Sequence, residues 1–148
     1  MPYPGCNILQ ENRVPEGLAQ DSRQGLRRAF FQNYGPFIAG EFGHVPFGDS
    51  RLRCPCGARG CWDVQVDGRA MARHLGDGEP ANARTYARGV LGRAGTERAA
   101  RRAVDACAAA LGIGAAGLVN ALDPDVVTLG GLAVGLHQTS PRSFREAY

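Results

Sequence analysis

The sequence predicts an α/β fold, rich in helix, with one loop pinned by clustered cysteines. Three observations predict it. Apolar residues recur at three- and four-residue steps from Val104 to Leu122, as in a long helix with one buried face. The run VVTL at 126–129 follows an Asp-Pro stop and precedes a glycine pair, which reads as a short buried strand. Upstream, GHVPFGDSRLRCPCGARGCWD at 43–63 holds one histidine and three of the five cysteines.

At 148 residues the chain has room for one domain with a modest core. Its hydrophobic content of 44% and charged content of 21% are those of a globular protein, not a disordered or fibrous one. The net charge of +3 comes entirely from arginine, since the chain contains no lysine. These arginines interleave with acidic residues, which argues against a nucleic-acid-binding stripe and for a compositional bias. No run reaches the roughly 18–20 apolar residues of a membrane span. The N-terminus MPYPGCNILQ lacks the pattern of a signal peptide. A cytoplasmic location with reduced thiols is the expectation.

Residues 1–39 show little periodicity beyond a helix expected at Asp21 to Gln32. Cys6 lies far from the other thiols and is expected to be inert. In the cluster the spacing is His44-x9-Cys54-x-Cys56-x4-Cys61. A Cys54–Cys56 disulfide across Pro55 would be strained. A metal ion accepts both thiolates without that strain, and one imidazole with three thiolates is a closed, four-coordinate zinc set. Redox-active or simply buried thiols are the competing readings. Gly57 and Gly60 supply tight turns between the ligands. Arg51, Arg53 and Arg59 are expected to offset the net negative charge of the site. With all four positions filled, such a metal would be structural rather than catalytic.

Short helices are expected over 64–94. VDGRAMARHLG places Ala70, Met71 and Leu75 on one face, and TYARGVLGRA groups Tyr86, Val90 and Leu91. GDGEPANAR between them is loop-like. His74 and His137 lack partners at ligand spacing and are read as surface or helix-end residues.

The long helix is expected to begin at an N-cap on Thr96. Its apolar face comprises Val104, Cys107, Ala108, Leu111, Ala115, Leu118, Val119 and Leu122, with Cys107 an inert packed thiol. GIGAAG at 112–117 spells G-x-G-x-x-G, but it lies inside the helical pattern instead of after a strand. Its glycines are therefore expected to allow close packing against the sheet. Asp123-Pro124 ends the helix, and Gly130-Gly131 after VVTL is either a strand-to-helix turn or a close backbone approach to a ligand. The last residues, LAVGLHQTSPRSFREAY, read as one or two helical pieces.

GEFGH at 40–44 followed by CPCGARGCWD at 54–63 resembles the signature of the ROK family (repressors, open reading frames and kinases), E-x-G-H and then C-x-C-G-x-x-G-C-x-E. The resemblance implies part of the C-terminal lobe of an actin-like, ribonuclease-H-like ATPase fold, with a zinc-stapled loop. It implies that Glu41 accepts hydrogen bonds from sugar hydroxyls and that His44 both ligates zinc and faces the sugar. Asp63 stands at the final Glu position, one methylene shorter. NALDPDVVTLGG resembles the family segment whose glycine pair, here Gly130 and Gly131, lies near the nucleotide.

A parent of this kind is an ATP- and Mg²⁺-dependent hexose or N-acetylhexosamine kinase, with a homodimer as a possible assembly. The alternatives are a sugar-sensing repressor, which alone would bring DNA as a partner through a separate upstream domain, and a non-catalytic remnant. The family's D-x-G-x-T phosphate loop, catalytic aspartate motif and second glycine-rich loop are not spelled in these residues. The chain is thus expected to be a fragment, joined between Tyr34 and Gly40, that does not phosphorylate sugar by itself.

Overall fold

A computed structural model describes residues 7–10, 41–124 and 126–148. The helix expected at Asp21 to Gln32 and the thiol of Cys6 lie outside them. The described elements are strand β1 (Asn7–Gln10), a 3-10 turn (Glu41–His44), helices α1 (Asp63–Val66), α2 (Gly68–Leu75), α3 (Ala83–Arg93) and α4 (Arg98–Leu122), strand β2 (Val126–Leu129), and helices α5 (Leu132–Thr139) and α6 (Pro141–Ala147). Among the described residues helix dominates, and the sheet is a single parallel pair.

Local chemistry sets the boundaries. Asp67 caps α2, its Oδ1 accepting from Ala70 N at 2.9 Å, and Gly76 ends the helix in the left-handed region at φ 75°. Asn82 caps α3 in the same way, accepting from Thr85 N at 2.9 Å. The expected faces are those that pack. Ala70 and Met71 are buried with Leu75 against them, and Val90 is buried with Tyr86 and Leu91 alongside. A Cβ on Gly68 would strike the Ala83 backbone, so that glycine sets how closely α2 approaches α3.

Helix α4 is the axis of the domain, about 37 Å long at the standard rise. Val104, Cys107, Ala108, Leu111, Ala115 and Val119 are buried along it, whereas Leu118 is half-buried and Leu122 is exposed. It is long and apolar enough to cross a membrane by length and composition, but half of its apolar window is buried against the other helices, as in a core helix. Its N-cap is Glu97, not Thr96. Thr96 belongs instead to the turn that closes α3, where both its N–H and its hydroxyl donate to the Arg93 carbonyl. At the other end Asp123 takes φ 44° and its N–H returns to the Val119 carbonyl, after which Pro124 cannot continue the helix.

β2 pairs with β1 in parallel, with Asn7 opposite Val126 and Gln10 opposite Leu129. Neither β1 nor this pairing was legible in the sequence. VVTL is less buried than its composition suggests. Leu129 faces the core, but Val126 is 37% exposed because β1 is the strand's only described neighbour.

The tail forms two helices hinged at buried Ser140, whose hydroxyl donates to Asp105 on α4. Arg101, also on α4, donates to the Thr139 carbonyl. Phe144 is fully buried, stacked on Tyr148 at 5.9 Å and met edge-on by His137 at 5.0 Å. Phe144→Ala is expected to cost about 3–5 kcal/mol by chemical denaturation, since it empties the largest fully buried side chain in the core.

A second expectation concerns alkali. Burial pushes the Cys107 thiol up to about 12, so the folded chain keeps a proton that the unfolded chain loses from about pH 8.5. Stability therefore falls as pH rises above that point. Cys107→Ala should flatten the fall in denaturation midpoints measured between about pH 8 and 10.

Candidate metal centre and ligand cleft

The loop from Gly43 to Trp62 folds by backbone hydrogen bonds between its own arms. Gly48 N donates to Gly60 O at 2.8 Å, Gly60 N to Leu52 O at 3.0 Å, and Trp62 N to Val45 O at 2.9 Å. At its tip Cys54-Pro55-Cys56-Gly57 makes a reverse turn closed by Gly57 N to Cys54 O at 2.9 Å, with Pro55 supplying the fixed φ. Gly57 at φ 93° and Gly60 at φ 73° then turn the chain back, through an Arg53–Arg59 bridge, to bring Cys61 beside Cys56.

This path gathers His44, Cys54, Cys56 and Cys61 so that their donor atoms all lie within 4.8 Å of one another. His44 Nδ1 is 3.6 Å from Cys54 Sγ, and Cys56 Sγ is 3.6 Å from Cys61 Sγ. A tetrahedral ion with ordinary zinc–sulfur and zinc–nitrogen bonds has S···S edges near ~3.8 Å and S···N edges near ~3.5 Å. Two of the six edges thus have the length a tetrahedral ion requires, and the four residues form a group that could hold one divalent ion. All three cysteines are free thiols. Cys54 and Cys61 are buried, while His44 and Cys56 face solvent. The backbone of Ala58, and then Cys54, hold the Cys56 thiol below its usual range. Burial, reinforced by Cys56 and Cys54, pushes Cys61 up to about 12.

The flanking arginines are arranged differently from the expectation. Arg51 is committed to Asp49 through a forked pair of 2.7–3.0 Å contacts, which holds the Asp49 carboxyl down at about 2 and raises Arg51. Its charge is thus matched locally and does not offset the sulfurs. Arg59 donates to the Arg51 carbonyl at 3.1 Å, and only Arg53 lines a hollow together with Cys54.

The residue after Cys61 ties the loop to the core. Trp62 Nε1 donates to the Ala110 carbonyl in the middle of α4 at 2.8 Å, and its ring lies where a Cβ on Gly114 would be. Phe47 lies against Gly117 in the same way, and Gly112 against α6. The glycines of GIGAAG are thus packing notches, but they receive two aromatic rings and the last helix, not the sheet.

Asp63 opens α1 with its carboxylate over Gly43, where any Cβ would collide with it. The glycine of E-F-G-H is therefore required for His44 and Asp63 to stand side by side. They line a cleft of about 240 Å³ with Asp67 and Arg69, its floor formed by Cys54 and Pro55. Sequence reasoning missed Asp67 and Arg69. The turn D-G-R-A marks Asp67 as a cap, but nothing in it indicates that Arg69 reaches the cleft.

Glu41 begins the 3-10 turn, and its side chain lies outside the described residues. Gly130 and Gly131 form the β2–α5 junction, where Gly131 takes φ 59° and has open space around its Cα. His74 and His137 sit in the last turns of α2 and α5, each with its imidazole pushed down by burial.

Residues 32–147 match the model of the ROK family. Over 49 residues the chain is 41% identical to the glucokinases of Streptomyces coelicolor (strain A3(2)) and Streptomyces lividans, a match covering 33% of this chain and 14% of each of those. The fold is similar to the crystal structure of a ROK hexokinase from Thermus thermophilus, with a TM-score of 0.53 and 30% identity over 73% of this chain and 38% of that one. The chain thus spans well under two thirds of the relatives it matches.

Gly114→Val should displace the indole and cost about 1–3 kcal/mol. Trp62 is the only tryptophan, so a red-shifted emission would report its release from α4.

Proposed function

The chain belongs to the ROK family, and we propose that it carries a zinc-stapled wall of a sugar-binding site from an ATP-dependent hexose or N-acetylhexosamine kinase. The observation that carries this reading is the joint placement of four metal donors and one carboxylate. His44 belongs to the donor set and lines the cleft beside Asp63. A metal held there would fix the His44 imidazole and the turn that bears it, so the acceptors would meet a polyol without being ordered on binding.

The donor chemistry favours zinc. Three thiolates and one imidazole suit a borderline-soft ion with no geometric demand of its own, and they leave it no open position. Zinc would hold the loop and take no part in phosphoryl transfer. Glu41 and Asp63 would accept hydrogen bonds from sugar hydroxyls, with His44 beside them. Asp67 lines the same cleft and adds a second carboxylate within it. Gly130 and Gly131, with no side chains at the end of β2, would let backbone approach a nucleotide. The kinase reading is preferred because the similar proteins named above are two glucokinases and a hexokinase.

Metal analysis of purified chain should give one zinc per molecule, with Cys61→Ser and Cys56→Ser each losing it. Because Cys61 is held as a neutral thiol in the free chain, loading with zinc should release protons, measurable in weakly buffered solution. Titration calorimetry against a panel of hexoses and N-acetylhexosamines should find a binder, and Asp63→Asn should weaken it by about tenfold. A chain without zinc whose folding ignores chelators would refute the metal assignment. Retained zinc with no response to any sugar would refute the ligand assignment alone.

A further inference from the structure

We propose that the hollow between the metal loop and α2 binds the phosphate group of a small phosphorylated metabolite. This hollow has a volume of about 400 Å³, within the range of small-molecule sites, and adjoins the proposed sugar cleft, with which it shares Cys54, Pro55, Val64 and Arg69. Arg53, Arg69 and Arg73 line it, together with the apolar residues Val64 and Ala72.

Three arginines and two carboxylates line the hollow, a balance of one positive charge. Asp77 also accepts the Tyr86 hydroxyl, and Glu79 pairs with Arg69 Nε at 3.1 Å, which leaves Arg53 and Arg73 as the arginines without a carboxylate partner among the described residues. Arg69 is also held by Asp67 at 3.1 Å, which fixes its guanidinium in place. Its Nε is buried and ion-paired with Glu79, but the carboxylate is not aligned to accept a hydrogen bond from it. Arg53 and Arg73 make no ion pair among the described residues. Arg73 gives one Nη to the Val64 carbonyl and keeps its remaining donors.

Guanidinium forks match the oxygens of a phosphate monoester in spacing and charge, and such bonds are stronger when one partner is ionised. A monoester brings about two negative charges and several acceptors, which suits the two unpaired arginines, Arg53 and Arg73, better than a neutral polyol or a cation would. The volume leaves room for a small organic group beyond the phosphate. The ligand class is therefore a phosphorylated small molecule.

The test uses metal-loaded, full-length chain and titration calorimetry with glycerol 3-phosphate, inorganic phosphate and glycerol. The expected result is binding of both phosphates, weakening with added salt, and none of glycerol. The double variant Arg53→Gln, Arg73→Gln should weaken phosphate binding by at least about tenfold, while Arg88→Gln, on the exposed side of α3, leaves it unchanged. Zinc content and hexose binding of the single variant Arg73→Gln should match the parent while its phosphate binding weakens, which separates this proposal from the sugar reading. Inorganic phosphate binding alone would mean that a free anion, not an ester, is the ligand and would overturn the metabolite assignment. Absence of any phosphate binding up to about 5 mM, or equal affinity in the double variant, would overturn the site itself.

Discussion

The seating of one indole ring in a gap on a helix is the interaction on which the rest of this structure depends. The loop from Gly43 to Trp62 has almost no apolar interior of its own, only Cys54 and Cys61 with Leu52 and, from α1, Val64 against them. Such a segment cannot offset the entropy of ordering its backbone by burial alone. Trp62 supplies the missing contact, and it can do so only because residue 114 lacks a side chain and the Ala110 carbonyl faces the indole nitrogen. The donor set, the turn that bears His44 and the start of α1 all take their position from that anchor. A metal ion, when bound, would tighten an arrangement that the helix has already positioned.

How much of this was readable in advance depended on whether the information was local. The donor set was legible because thiol spacing and a proline between two cysteines restrict the chain over a few residues. Helices α2, α3 and α4 were legible because their apolar residues repeat with the helical period and Asp123-Pro124 marks the end of α4. Thr96 misled because a threonine before a helix and a threonine closing the previous one look alike in sequence. β1 was invisible, since N-I-L-Q carries no alternation and becomes a strand only through a partner far along the chain. The glycines of GIGAAG were recognisable as packing residues, but their partners, Phe47, Trp62 and α6, are set by tertiary structure alone.

Charge around the metal loop shows the same division. Proximity in sequence suggested that Arg51, Arg53 and Arg59 would all serve the sulfurs. Folding sends Arg51 to Asp49 two residues away, where a forked ion pair forms without burial. Such an exposed pair adds little to stability, but it does remove one cation from the neighbourhood of the thiols. Arg69, distant from the cysteines in sequence, becomes their neighbour through α2. Reading electrostatics from spacing fails when a nearer carboxylate competes for the same guanidinium.

The parallel ladder between β1 and β2 joins residues more than a hundred positions apart. Almost every other contact described, from the cysteine turn to the stack of α2, α3 and α4, is made over a much shorter stretch. Closing a loop of that length carries its entropic penalty before any hydrogen bond rewards it, so such pairings form slowly. The helical part with its metal loop makes its contacts over shorter spans, so the pairing of β1 with β2 carries the largest loop-closure penalty of those described. Zipping of the two strands would then be the final event of maturation, and amide exchange at Val126 to Leu129 would be the place to observe it.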